Sequence, residues 1–120
     1  MKTAHLLEKL EFHDSHPYAQ PLLVDDQGRI IRFMLKAGQS IREHSVPHSP
    51  FYVIILQGHG IFTDATGQEQ PVSPNMLLIF DPAENHSVIA TDEDLIFIGI
   101  LHSVPSARSG VVGGELGREE

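Results

Sequence analysis

The sequence predicts an all-β fold, a small barrel of antiparallel strands, and three observations carry that reading. Short apolar runs recur between turn signals such as Asp25-Asp26-Gln27-Gly28, Ala65-Thr66-Gly67 and Thr91-Asp92-Glu93-Asp94, giving about nine or ten strands. No run shows long helical periodicity. The three most apolar runs, FYVIIL (51–56), MLLIF (76–80) and LIFIGIL (95–101), are bounded by turn residues.

Taken in order, Met1 to Glu11 offers Leu6, Leu7 and Leu10 as one apolar edge and reads as a short helix or an irregular lead-in. His13 to Pro17 is a polar loop, and its histidines, like His5, are expected on the surface. Pro21 to Asp25 and Arg29 to Lys36 form a hairpin with one wet face. Gln39 to His44 is the next strand, and a Pro-broken loop, 45–50, carries His48. The apolar strand Phe51 to Leu56 follows. Gly60 to Asp64 and Gln68 to Val72 make a second hairpin, with His59 expected exposed at its start. Met76 to Phe80, Val88 to Ala90 and Leu95 to Leu101 complete the set.

At 120 residues the chain makes one domain, expected over 1–104, with a flexible glycine-rich tail over 105–120. The net charge of −8 argues against a nucleic-acid backbone as partner. The apolar runs are too short and interrupted to span a membrane, and Met1 to Leu10 lacks the continuous core of a signal peptide. A cytoplasmic protein is expected. With no cysteine, disulfides and thiol chemistry drop out. Phosphate-loop, dinucleotide and nucleophile-elbow motifs are absent as well.

Histidines at neighbouring strand ends can converge in a closed barrel, because alternate side chains point inward. His44 and His86 are placed that way. Their surroundings resemble the two-motif signature of the cupins, small jelly-roll (double-stranded β-helix) barrels. Gly38, five residues and His44 match the first motif, and Gly58 closes it. In the second, Asn75 stands at the first glycine, Asp81 at the proline, Ala83 at the second glycine and His86 at the histidine. The resemblance spans roughly Asp25 to His102.

The resemblance implies a jelly-roll barrel and a metal held by three histidines and a glutamate. Here Val46 replaces the second histidine, and Phe51 (or Pro50, if the loop shifts) replaces the glutamate. His48, two residues past Val46, is the candidate that restores a third donor. The expected ligands are therefore His44, His48 and His86, for a divalent transition metal (Fe, Zn, Ni or Cu). Val46, Phe51, Val53 and Ile55 are the expected apolar pocket wall, with His102 as a further candidate for the same cavity. Two readings stay open: a metal-dependent enzyme acting on a small organic molecule, its reaction unassigned, and a non-catalytic module that binds such a molecule without metal.

The three apolar runs put large side chains on both faces, whereas a barrel interior takes only one. The leftover face, at ~25 cal/mol per Å² of apolar surface, favours burial against a partner. A homodimer is expected, with Met1 to Glu11 or the C-terminal tail as alternative covers.

Overall fold

A computed structural model describes residues 1–102. The tail expected over 105–120 lies outside them. Nine strands are present among the described residues: β1 (Tyr18–Asp25), β2 (Gly28–Leu35), β3 (Ser40–His44), β4 (Phe51–Gln57), β5 (Gly60–Thr63), β6 (Glu69–Val72), β7 (Leu77–Phe80), β8 (His86–Ala90) and β9 (Leu95–His102). They form a five-stranded sheet in the order β1-β2-β9-β4-β7 and a four-stranded sheet in the order β3-β8-β5-β6, with every pairing antiparallel. Among these residues, no helix is long and apolar enough to cross a membrane.

The two sheets face each other across one core, which is what the alternation of side chains requires. Ile31, Phe33 and Leu35 of β2, Phe51, Val53 and Ile55 of β4, and Leu95, Phe97 and Leu101 of β9 point inward. They meet Phe62, Val72, Val88 and Ala90 from the smaller sheet. Phe97 bridges the layers, stacking on Phe33 at 4.7 Å between ring centroids and meeting the edge of Phe62 at 5.3 Å. The prolines inside strands, Pro21 and Pro71, fall on the edge strands β1 and β6, where no interior ladder bond is lost.

Strand β1 begins three residues before the expected start, because Tyr18, Ala19 and Gln20 pair with Met34, Phe33 and Arg32. The lead-in before it is irregular rather than helical. It also accounts for part of the surplus apolar face. Arg32 points outward from β2 yet is only 4% exposed. Its guanidinium donates to the carbonyls of Leu6 (3.1 Å), Glu8 (2.9 Å) and Lys9 (3.2 Å) and to the Gln20 amide oxygen (2.6 Å). Glu11 N–H reaches Met34 Sδ at 3.3 Å. The first residues thus lie as a strap over the outer side of β2, where Ile96 and Ile98 of neighbouring β9 are 0% and 4% exposed. A partner subunit is not needed to bury that half of the face. Further along, the Gln39 side-chain amide donates to His13 O at 2.7 Å and Lys36 pairs with Asp14, so the strap ends pinned beside β3.

Candidate functional site

Strands β3 and β8 bring His44 and His86 together as direct register partners. The register slips between Ile41 and His44, a bulge-like irregularity at the end of β3 just before the histidine. The loop after β3 is tied to the turn before β8 by the Ala83 N–H donating to Val46 O at 2.8 Å. It is tied to β9 by Ser49, whose hydroxyl accepts from His102 N–H at 2.8 Å. Both histidines therefore stand on a braced rim.

The two rings meet edge to face at 4.4 Å between centroids. His86 is 2% exposed and lies between Phe51 (5.1 Å, 16° between planes) and Phe80 (4.4 Å, 22°). Each histidine spends Nδ1 on a backbone carbonyl: His44 on Arg42 O at 2.9 Å and His86 on Glu84 O at 3.1 Å. A carbonyl only accepts, so each Nδ1 carries a proton, and in the neutral ring Nε2 then presents a lone pair. The His86 Nε2 is buried with no hydrogen-bond partner among the described residues. Burial between the phenyl rings lowers the His86 pKa to about 4, and the neighbouring His44 contributes to the same shift.

Beside this pair opens a cleft of about 850 Å³. His44, Val46 and Phe51 line it, as expected, together with Ala19, Ile31 and Phe33. Ser40, Arg42, Glu43 and His16 supply its polar part, beside Pro17 and Ile41. Sequence reasoning missed His16 and Pro17, because they reach the cleft only through the strap. Their one local sign was the His13-x-x-His16 spacing.

Other expectations change with the geometry. His48 lies exposed in the turn after Val46. Among the described residues, no group of three His, Cys, Asp or Glu side chains is arranged to hold a metal ion. The structure thus brings together two of the three expected ligands, and the extended path that was to carry His48 inward is a turn instead. His102 is corrected as well. On β9 the residues Ile96, Ile98 and Ile100 stand outside the core, and His102 continues that parity. Its Nε2 lies 3.2 Å from the Tyr52 hydroxyl, outside the cavity it was expected to share. Val53 and Ile55, at 0% and 1% exposure, pack in the core rather than on the cleft wall.

The positions matched to the second motif keep its backbone even where its residues differ. Asn75 and Ala83, which stand where glycines are expected, have φ of 74° and 67°. A left-handed alanine costs about 1–2 kcal/mol, partly offset by the lower chain entropy of alanine when unfolded. Ala83→Gly is expected to stabilise the protein by about 0.5–1 kcal/mol, read as a higher urea midpoint with unchanged slope. An unchanged or lower midpoint would mean that Ala83 is unstrained.

No protein-family model matches the sequence, and no curated protein matches it. Solved structures do resemble the fold. A protein from Klebsiella pneumoniae described as having a double-stranded β-helix domain superposes with a TM-score of 0.79 at 16% identity, over 85% of this chain and 90% of that one. An RmlC-like cupin from Desulfovibrio desulfuricans gives 0.75 at 25% identity, over 83% and 95%. KdgF from Halomonas gives 0.72 at 11% identity, over 88% and 97%.

Proposed function

We propose that this chain, a small cupin domain, is a binding module for a small, largely apolar organic molecule with a hydrogen-bond-donating head group. One observation carries the reading. Both histidines of the site have committed Nδ1 to the backbone, so in the neutral rings Nε2 is left as the acceptor, beside Phe51 and Phe80 at His86 and at the cleft wall for His44. The one on His86 has no hydrogen-bond partner among the described residues. A buried polar atom left unpaired costs about 1–3 kcal/mol, a cost that only a donor reaching past His44 to His86 would recover. Of the two histidines, His44 lines the cleft, and the 2% exposed His86 packs edge to face against it, so a donor entering the cleft meets His44 first. The ligand body lies on Phe51, Phe33, Ile31 and Val46. A histidine that stays neutral down to about pH 4 is a poor proton acceptor near neutrality, which favours binding over acid–base turnover.

A metal-holding form of the same module is the second reading. It is favoured by the Nδ1 bonds, since metal-ligating histidines characteristically have their other ring nitrogen fixed in this way. Yet the residues present do not fit a resident ion held by the protein alone. Zinc-like sites take three or four protein donors, and Val46 and Phe51 occupy the remaining positions of the motif. A third donor would have to come from the ligand.

Ligand-observed NMR with phenol, and with toluene as the control lacking a donor, tests the proposal. Phenol should bind the protein at least about tenfold more tightly than toluene, and His44→Ala and His86→Phe should each erase that preference. Equal binding of the two probes, or a preference that survives both substitutions, would sink it. Elemental analysis of protein purified without a histidine tag addresses the metal. Near-stoichiometric metal that His86→Ala removes would move the account to the second reading.

A further inference from the structure

His16 reaches the same cleft as His44, from the strap rather than from the barrel. Its Nδ1 lies 2.9 Å from the carbonyl oxygen of Pro17, so it is committed to the backbone as those of His44 and His86 are. That contact requires the proton on Nδ1, and the neutral His16 ring keeps Nε2 as an acceptor. The cleft therefore has two such rings on its wall, His44 and His16, contributed by different parts of the chain.

The position of His16 is set by its neighbours. The His13 ring meets it edge to face at 5.3 Å and stacks on Tyr18, the first residue of β1, at 4.4 Å. The His13 carbonyl accepts from the Gln39 side-chain amide at 2.7 Å, and Asp14 pairs with Lys36. Gln39 directly precedes β3, whereas His44 ends it. His16 is thus held near the start of this five-residue strand, and His44 stands at its finish. The cleft that both rings line also takes in Ile31, Phe33 and Phe51, an apolar wall that suits an aromatic body. Arg42 and Glu43 add one charge of each sign to it, so the lining selects neither an anion nor a cation.

We propose that His16 is a second acceptor of the cleft, and that the ligand is an uncharged aromatic molecule with a hydrogen-bond donor at each end. One donor goes to His44 and the other to His16, while the ring lies on the apolar wall. This assignment rests on the binding reading and adds the second donor, which that reading does not require. A ligand with a single donor leaves one of the two acceptors to water, so the second bond supplies selectivity between otherwise similar molecules.

Ligand-observed NMR with para-hydroxybenzyl alcohol and with its benzylic methyl ether isolates the second donor, because both molecules keep the phenol group. The alcohol should bind roughly fivefold more tightly than the ether, and His16→Phe should abolish that difference while leaving the preference for phenol over toluene. Long-range proton–nitrogen correlation on the unsubstituted protein gives a reading that is independent of the variant: the bound alcohol should move the Nε2 resonances of both His16 and His44. Equal binding of alcohol and ether overturns the second acceptor, as does a difference that survives His16→Phe or a His16 resonance indifferent to bound alcohol. Each of these leaves the binding reading standing so long as phenol still outbinds toluene. Equal binding of phenol and toluene by the unsubstituted protein overturns the binding reading and this assignment with it.

Discussion

Acidification from neutral pH to about pH 4 is expected to remove roughly 3 kcal/mol of stability through His86 alone. The sign follows from which state takes up the proton. In the unfolded chain His86 titrates near 6.5, whereas in the folded chain it stays neutral until about 4. Between these values the unfolded state binds more protons, so stability falls as pH falls, and the effect saturates below about 4. Above about 6.5 both states carry a neutral ring, and His86 contributes no pH dependence. Other groups titrate across the same range, so the measurement is a difference. Urea unfolding of the unsubstituted protein and of His86→Phe should diverge from about pH 6.5 downward, the variant losing less. Parallel curves across that range would mean that the folded state takes the proton at His86 as readily as the unfolded chain.

Gly58→Ala is expected to cost more than about 3 kcal/mol, beyond the range of ordinary point substitutions. Gly58 closes β4 with φ of 90°, a conformation strained for any residue with a Cβ. An added Cβ would collide with the carbonyl oxygen of Asp94, just before β9, and backbone cannot yield as a flexible side chain can. Relief requires β4 and β9 to separate where Ile55, Leu95 and Phe97 pack. Gly38 supplies the contrast: its φ of 85° carries the same conformational penalty, but a Cβ there meets nothing within 4 Å. Gly38→Ala should therefore cost about 1–2 kcal/mol. Equal midpoints for the two variants in denaturant would refute the collision.

The order of strands was legible because the information is local. Asp25-Asp26-Gln27-Gly28 marks a hairpin by itself, and FYVIIL marks a strand whose odd positions turned out to face the core. The pairing of His44 with His86 was legible through the joint spacing of two segments. The surroundings of that pair were not. His16 reaches the cleft because Arg32 and Gln39 hold a strap whose path depends on contacts more than twenty residues away in sequence. The parity of His102 follows from the register of β9, which no residue near His102 announces. The apolar outer residues of LIFIGIL were read correctly as needing a cover, and for Ile96 and Ile98 the cover lies within the chain. The Val46 and Phe51 replacements pointed toward an incomplete donor set. Their packing roles became visible only in three dimensions, with Phe51, at the position where the motif places a glutamate, stacked on His86.

The central claim is that His44 and His86 hold Nδ1 on backbone carbonyls and leave Nε2 as the acceptor for a ligand donor. Long-range proton–nitrogen NMR correlation of the histidine side chains tests it most directly, because it reads the protonation of each ring nitrogen. Near pH 7, His86 should appear as the Nδ1–H tautomer with an unprotonated Nε2, and so should the neutral form of His44. Saturating phenol should shift the Nε2 resonance of His44 toward that of a hydrogen-bonded acceptor. A His86 that carries its proton on Nε2, or a His44 Nε2 resonance that does not move when phenol is bound, would contradict the account.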